Sequence, residues 1–306
     1  VAHFRIFCLV SIIREALRKA RLSCMETYLL ISLTREKKWI LENQGPEGEI
    51  YMNGSKAGDV NPYFACMAAL GLLAETKNCP ITETEKKAVG RYLDWHTGIL
   101  LETDGKMGIY RKESGKLIYK EKADSEDGYL GMYLFLMGKY LEKTESTDLP
   151  ESWKNGISLA LKKIQSLMRD GITQVSEENT TAYLMDNLEV WKGLYELELA
   201  GLEDTQAISE IRKKIQKQIE KIFWDDANQR WRIIGNSDRY HQTEFYPDGV
   251  AQIYPLIYEF PVKEKKKQKV LYDQFTERFQ WQKLNKKRTG FLWAMTGMAA
   301  AQMGDS

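Results

Sequence analysis

The sequence contains few of the residues that usually bind metal ions. Its 306 residues include four cysteines and three histidines. No two cysteines form a CxxC pair and the histidines are dispersed, so the spacing typical of a zinc site is lacking. No phosphate-binding glycine loop and no Ser/His/Asp set can be recognised. These absences predict a protein without a metal ion or organic cofactor, while one disulfide stays compatible with the sequence.

Net charge and long apolar runs are also lacking. The formal net charge is +1, so no strong field attracts nucleic acid or an anionic membrane. No apolar stretch is long enough to cross a membrane. The segment from Ile6 to Ile13 resembles a short signal-peptide core, but Arg14 follows it instead of a small-residue cleavage site. Residues 1–23 are therefore read as an amphipathic helix or as a retained export segment, which leaves a cytoplasmic or an exported protein possible. The oligomeric state is left open as well.

What the sequence does contain is a regular alternation of helix types. Charged amphipathic segments alternate five times with apolar segments that have little charge on any side, and a helix of the second kind is buried all round. Few segments have a pattern typical of β-strands, apart from possible hairpin arms at Gly108–Tyr119 and Arg230–Ile234. The charged segments are Met25–Asn43, Thr82–Trp95, Glu151–Met168, Thr205–Phe223 and Lys263–Trp281.

This alternation predicts a closed double layer, with the apolar helices inside and the charged helices around them. The inner helices would run in one direction, so that their N-termini meet at one face. Acids that open separate inner helices would then converge there. We interpret the whole chain, 1–306, as one all-α domain of this kind. The converging acids are Asp59, Asp124, Glu126, Asp127, Asp186 and Asp248.

The densest group of acids lies within Ala123–Leu134, where three carboxylates occupy four positions before an apolar helix. Helix capping alone could explain them, because acids in a first turn offset the helix dipole. Acids that converge from separate segments are harder to explain as caps, which favours a functional site. Glu189, one turn into its helix, is read as a cap or an ion-pair partner.

The pattern resembles the six-hairpin glycosidases, and the resemblance covers most of Met25–Met303. It implies an (α/α)6 barrel. Its sixth helical hairpin would be formed by the helix before Cys24 together with an incomplete segment at the end of the chain. The segment Ala123–Leu134 is similar to the acid-rich segment of family-eight glycoside hydrolases, where an Asp-x-Asp stretch positions sugar. Asp59 falls where that family carries its general acid. The family has Glu in a Ser-Glu-Gly-type context, whereas here Asp59 stands in Gly-Asp-Val-Asn-Pro-Tyr.

The resemblance implies hydrolysis of a polysaccharide or oligosaccharide. Two carboxylates are needed, and an inverting enzyme holds them roughly 6.5–9.5 Å apart. The predicted catalytic residues are Asp59 with Asp127 or Asp248. The predicted substrate-binding residues are Asp124 and Glu126, Asp186, and the aromatic residues Tyr63, Trp95, Tyr129, Tyr183, Tyr246 and Trp293.

Two alternatives stay open. One is a barrel that binds glycan or protein without catalysis. The other is a lyase or a sugar epimerase on the same fold. His96 or His241 within the cavity would favour an epimerase.

Overall fold

The computed structural model describes residues 23–52, 54, 58–114, 116–146, 148–202, 205–235, 244–262, 265–283 and 295–305, with the side chains of 23–31 and 265 left out. Several sequence predictions lie outside these residues. They concern the segment 6–13, the sixth hairpin, His241 and Trp293.

Ten α-helices alternate between an outer and an inner layer in the described ranges. The odd-numbered helices are outer, and the even-numbered helices are inner and mostly buried. This confirms the predicted all-α architecture and its alternation. In chain order the helices are α1 Ser23–Glu42, α2 Pro62–Leu72, α3 Glu83–Glu102, α4 Glu126–Thr144, α5 Glu151–Leu167, α6 Leu184–Leu199, α7 Thr205–Phe223, α8 Val250–Ile257, α9 Lys265–Phe279 and α10 Thr296–Met303.

Short strands accompany the helices. The strands β1 (Asp59–Val60), β2 (Gly108–Glu113) and β3 (Lys116–Lys122) form an antiparallel sheet in that order. Two small hairpins of two strands each lie between α5 and α6 and between α7 and α8. The predicted hairpin arm that begins at Gly108 is confirmed and extends to Lys122. The strands of the two small hairpins are β4 Met168–Arg169, β5 Ile172–Thr173, β6 Trp224–Asp225 and β7 Arg230–Trp231.

Amide and hydroxyl side chains cap the first two inner helices. The Asn61 side chain accepts a hydrogen bond from the Tyr63 backbone N–H at 3.0 Å at the start of α2. The Ser125 hydroxyl accepts from the Gly128 N–H at 3.3 Å at the start of α4. Both are preferred N-cap residues. The acids beside them are therefore not needed as caps.

Helices α4 and α6 pack backbone against backbone. A Cβ atom at Gly131 would lie 2.7 Å from the Val190 backbone nitrogen, and one at Gly138 would lie 2.5 Å from the Glu196 carbonyl carbon. Only glycine permits such an approach. The contact positions advance together along both helices, so α4 and α6 run parallel, as predicted for inner helices.

A network of buried ion pairs connects the C-terminal halves of α4 and α6. Lys192 on α6 is 2.7 Å from Glu196 and 2.9 Å from Glu259, which follows α8. Lys139 on α4 is 2.7 Å from the other oxygen of Glu196. The Lys192 and Glu196 side chains are each 2% exposed, so each needs its partners to offset the loss of hydration.

Two of the four cysteines can be described. Cys66 is buried and Cys79 partly buried, and both are free thiols. Across the described helices, no segment has the combined length and hydropathy to cross a bilayer.

Candidate functional site

Three carboxyl groups crowd together where α4 and α6 begin. Asp127 lies on the first turn of α4, and Asp186 and Glu189 lie on the first two turns of α6. Gly128 stands between them. A Cβ atom at this glycine would be 2.8 Å from Glu189 Oε2 and 3.7 Å from Asp186 Oδ1. Because Gly128 has no side chain, the acids of α6 can approach the start of α4. We call Asp127, Asp186 and Glu189 the carboxyl cluster.

Asp127 is fully buried and fully hydrogen-bonded. Its Oδ1 accepts from the Ser125 hydroxyl at 2.7 Å and from the Gly128 N–H at 3.0 Å, and its Oδ2 accepts from the Thr173 hydroxyl at 2.7 Å. Asn187 fixes Thr173 in turn, with hydrogen bonds to its backbone N–H and carbonyl. Burial raises the pKa of Asp127 to about 6, against the effect of these hydrogen bonds. Asp127 is thus held rigidly between α4 and β5.

Glu189 is held by three tyrosines. Its Oε1 accepts hydrogen bonds from the hydroxyls of Tyr63 at 2.5 Å, Tyr254 at 2.7 Å and Tyr258 at 3.3 Å. The side chain is 2% exposed. Burial raises the pKa of Glu189 to about 8 although the tyrosine hydrogen bonds oppose this. The Glu189 carboxyl is therefore mostly protonated at neutral pH.

Asp186 has an unsatisfied oxygen. Burial, followed by the charges of Asp127 and Glu189, raises its pKa well above the ordinary value. Its Oδ2 atom is buried and has no hydrogen-bond partner among the described residues. A buried polar atom without a partner is uncommon and calls for an explanation. A bound ligand would satisfy this oxygen.

The three carboxyls of the cluster share their protons. Like charges this close cannot all ionise, so their protons come off in steps that belong to the group. The raised pKa values of Glu189, about 8, and of Asp186 favour retention of a proton on the α6 acids. This makes the cluster able to act as a general acid. The described residues include no group of three His, Cys, Asp or Glu side chains placed to hold a metal ion.

Two exposed residues, Asp124 and Tyr246, interact electrostatically with the cluster. Asp124 is exposed, and its charge adds to the raised pKa of Asp186 after burial and the nearer acids. Tyr246 is 41% exposed. Its partial burial, followed by the charges of Asp186, Glu189 and Asp124, raises the pKa of Tyr246 to about 12. Aromatic rings beside carboxylates are the side chains that usually bind sugars.

Most predicted substrate-binding residues are therefore brought together. The Tyr63 and Tyr129 rings are 5.7 Å apart, and Tyr183 precedes α6 and lies near Tyr246. Glu126 lies at the periphery in an ion pair with Lys122 at 3.4 Å. The predicted site residues, catalytic or substrate-binding, that lie in or around the carboxyl cluster are Tyr63, Asp124, Asp127, Tyr129, Tyr183, Asp186 and Tyr246.

Asp59 lies apart from them. On β1 it accepts a hydrogen bond from Arg111 Nε at 2.6 Å and from Lys120 Nζ at 2.9 Å. The hydrogen bond from Arg111 is the main cause that lowers the pKa of Asp59 to about 2. An acid with such a low pKa stays ionised, so the structure disagrees with Asp59 as the proton donor. The expectation followed from its position before α2 and missed the two cations on β2 and β3.

Asp248 also faces a different part of the protein. It lines a cavity of about 270 Å³ with Phe275 and Phe279 of α9, and its Oδ2 accepts from the Glu244 N–H at 3.2 Å. The segment Phe245–Gly249 forms one π-helical turn before α8. That turn places the Asp248 side chain towards the outer helix, so Asp248 does not join the carboxyl cluster.

Trp95 and His96 belong to the core. Trp95 is 8% exposed and packs edge-on against Tyr110, with ring centroids 6.1 Å apart, so it offers no face to a sugar. His96 contacts Cys66 at 3.5 Å and Tyr92 at 3.1 Å. Burial lowers the pKa of His96 to about 3, which keeps the imidazole neutral. These contacts give His96 no place beside the carboxyl cluster.

Sequence reasoning missed the role of Glu189 and two of its three tyrosines, Tyr254 and Tyr258. A signal was present, because Glu189 is ionisable yet lies on a helix with apolar residues on every side. Asp186 and Glu189 are three positions apart and thus share one helix face, as Tyr254 and Tyr258 do at a spacing of four. A search for polar residues on the buried face of each inner helix would have identified Asp186, Glu189, Tyr254 and Tyr258.

A comparison with protein-family models finds no match to this chain, and a comparison with the sequences of characterised proteins finds none either. Solved structures do resemble it. A sugar epimerase from a ruminal bacterium is 13% identical with a TM-score of 0.59, over 99% of this chain and 87% of the other. A family 76 glycoside hydrolase (mannosidase) from Bacteroides thetaiotaomicron VPI-5482 is 10% identical with a TM-score of 0.55, over 99% and 86%. A structure described as a glycosidase is 12% identical with a TM-score of 0.54, over 92% and 99%.

Identities this low show the fold alone. The neighbours share the fold that the resemblance implied, whereas they give no support to a particular relation with family eight. The chain has the fold of the (α/α)6-barrel glycosidases.

Proposed function

We propose that this protein is a glycoside hydrolase that cleaves an oligosaccharide or polysaccharide by carboxyl acid–base catalysis. The observation that carries the proposal is Asp186 Oδ2, a buried oxygen without a partner among the described residues, in a cluster that retains a proton. A protonated carboxyl is what the leaving oxygen of a glycosidic bond requires. The fold, shared with glycosidases, supports the same function by analogy.

In the proposed reaction Asp186 gives its proton to the glycosidic oxygen as the bond from that oxygen to the anomeric carbon breaks. Asp124 is exposed and its charge acts on Asp186, and in the proposed reaction it accepts a proton from the water that attacks the anomeric carbon. The products are two sugars with free hydroxyls, and both protons are accounted for. Attack by water on the opposite face makes the reaction inverting. Proton nuclear magnetic resonance of the first-formed anomer measures that outcome directly.

The other two carboxyls act as positioning residues. Asp127 fixes the first turn of α4 beside Asp186, and its charge keeps the pKa of Asp186 high. Glu189 lies one turn after Asp186 on α6 and links the cluster to the tyrosines of α2 and α8. Both oxygens of Asp127 accept hydrogen bonds and Glu189 Oε1 accepts three, whereas Asp186 Oδ2 accepts none from the described residues. Of the residues predicted as catalytic from sequence, Asp127 keeps a role at the site.

The alternatives gain less support from the described residues. The epimerase alternative rested on His96 or His241 beside the sugar: His96 contacts Cys66 and Tyr92 instead, and His241 lies outside the described residues. A lyase would release a product with a new double bond, which absorbs ultraviolet light. A binding protein would need carboxylates as acceptors only and would gain nothing from protonated acids.

The test is release of reducing ends from glucans, chitosan, mannans and uronic-acid polymers. We expect one class to be cleaved, and Asp186→Asn to lower kcat by roughly 10²- to 10⁴-fold with little change in oligosaccharide affinity. Glu126→Gln is the matched control, since Glu126 lies in the same region but pairs with Lys122. Binding without cleavage by the folded wild type would establish the binding protein instead. Full activity in Asp186→Asn would exclude Asp186 as the donor.

A further inference from the structure

A second cavity lies on the outer layer, away from the carboxyl cluster. It has a volume of about 410 Å³ and separates α7 from α9. The hairpin of β6 and β7 contributes Trp224 and Trp231 to its wall. Cavities that bind small molecules have volumes of about 300–1,000 Å³. We call this space the outer cavity.

The outer cavity has an apolar wall. The indole rings of Trp224 and Trp231 pack edge to face, 5.1 Å apart at 72°. Val262 and Leu271 extend the wall, and the Lys267 ammonium lies over the Trp224 ring, 5.3 Å from its centroid. Such a surface fits a ring-shaped ligand that has an apolar face.

Two buried donors in the wall lack acceptors. Trp231 Nε1 and Gln268 Nε2 have no hydrogen-bond partner among the described residues. Trp231 is 2% exposed and Gln268 is 7% exposed, and a buried donor without an acceptor costs free energy. Both side chains line the cavity, and both present N–H groups. The ligand that completes this site must therefore supply acceptor oxygens.

The charges around the cavity favour an anion. Lys217 and Lys221 are exposed on α7 at a spacing of four, and Lys267 faces them from α9. Asp226 is already engaged, since it accepts from Trp224 Nε1 at 3.3 Å and is 3.5 Å from Lys267. Three lysines against Glu220 and Asp226 leave the lining positively charged.

We propose that the outer cavity binds a sugar ring that carries a carboxylate, that is, a uronic acid residue. The ring's apolar face packs on the indoles and Leu271. The carboxylate accepts from Trp231 Nε1 and Gln268 Nε2 and is neutralised by the lysines. This site shares no residue with the carboxyl cluster, so it does not depend on the reaction proposed there.

The test uses D-glucuronate with D-glucose as the uncharged ring of the same shape. We expect glucuronate to bind the wild type with a Kd on the order of 1 mM, at least tenfold more tightly than glucose. Binding should weaken at about 1 M salt, where the Debye length is about 3 Å. One indole N–H resonance, identified by its loss in Trp231→Phe, should shift when glucuronate is added. Equal binding of both sugars, or binding of neither, would overturn the proposal.

Variants locate the binding. Gln268→Glu keeps the shape but replaces the donor by a negative charge, and Lys217→Met removes a positive charge from an exposed position, where folding is not at risk. Each should weaken glucuronate binding at least fivefold. Lys162→Met makes the same charge change on exposed α5 surface and should bind like wild type. Unchanged binding in Lys217→Met and a folded Gln268→Glu would contradict this location, as would loss of binding in Asp186→Asn instead.

Discussion

Gly128 and Glu189 face each other across the contact between α4 and α6, and a methyl group on Gly128 would lie 2.8 Å from Glu189 Oε2. The absence of one side chain on α4 thus sets the position of an acid on α6. Ser125 Oγ, which donates to Asp127, would be 3.0 Å from the same methyl group. The approach of the α6 acids to the first turn of α4 therefore depends on the glycine at this position.

The first prediction is that Gly128→Ala distorts the cluster. The added methyl group must displace Glu189 or Ser125, and overpacking of this kind costs about 1–3 kcal/mol of unfolding free energy. We expect a lower melting temperature and a loss of any glycosidase activity larger than the loss of stability explains.

Gly98→Ala is the control for this substitution. Gly98 lies inside α3, where a Cβ atom would meet nothing within 4 Å. Alanine there should stabilise the helix by about 0.5–1 kcal/mol. A Gly128→Ala protein as stable and as active as wild type would show that the cluster has more room than the structure gives it.

The second prediction concerns pH and Glu189. Burial raises the pKa of Glu189 from 4.5 to about 8, so the folded state keeps a proton that the unfolded state loses above pH 4.5. The free energy of unfolding should therefore fall as pH rises from about 4.5 to about 8. Glu189→Gln should remove that part of the slope, which amounts to a few kcal/mol because one pKa unit corresponds to about 1.4 kcal/mol.

Chemical denaturation at a series of pH values measures this effect. Glu151→Gln, at an exposed position on the first turn of α5, should keep the wild-type slope. A Glu189→Gln protein whose stability follows wild type at every pH would mean that Glu189 titrates normally. The part of the slope due to Asp127, between its ordinary pKa of 3.8 and about 6, should persist in both variants.

The third prediction separates the tyrosines from general packing. Tyr254→Phe removes a donor to ionised Glu189, so the pKa of Glu189 should rise further. The basic limb of a pH–activity profile should move to higher pH, and stability should fall by about 0.5–1.5 kcal/mol. Tyr133→Phe, which loses a hydrogen bond to Thr97 instead, should cost similar stability without moving the profile. Identical profiles for both variants would argue against the role of the tyrosines.

The fourth prediction concerns the buried ion pairs of α4 and α6. Lys192→Met leaves Glu259 without this partner and Glu196 with only one of its two lysines. Removal of one member of a buried pair costs about 3–5 kcal/mol. Lys163→Met, which breaks an exposed pair with Asp104, should cost less than about 1 kcal/mol. Equal unfolding midpoints for the two variants would show that burial of Lys192 is incomplete in solution.

The sequence predicts the architecture better than the site. Side-chain polarity indicates directly which helices are buried. The inner and outer layers could therefore be predicted from the alternation of charged and apolar helices. Which acids converge depends on the rotation of each helix about its axis. Asp127 and Asp186 lie near each other because both stand in the first turns of neighbouring helices. Asp59 was misjudged because its partner Arg111 is 52 positions away and belongs to another strand.

The glycine contact between α4 and α6 also bears on motion. Where two backbones touch, no layer of side chains can change rotamer to let the helices slide, so Asp127, Asp186 and Glu189 form a fixed group. Tyr63 and Tyr254 contact Glu189 from α2 and α8 through one hydroxyl hydrogen bond each. We therefore expect the slowest amide exchange in α4 and α6. Adjustment to a bound sugar would occur as a shift of the tyrosine-bearing helices around a stationary pair.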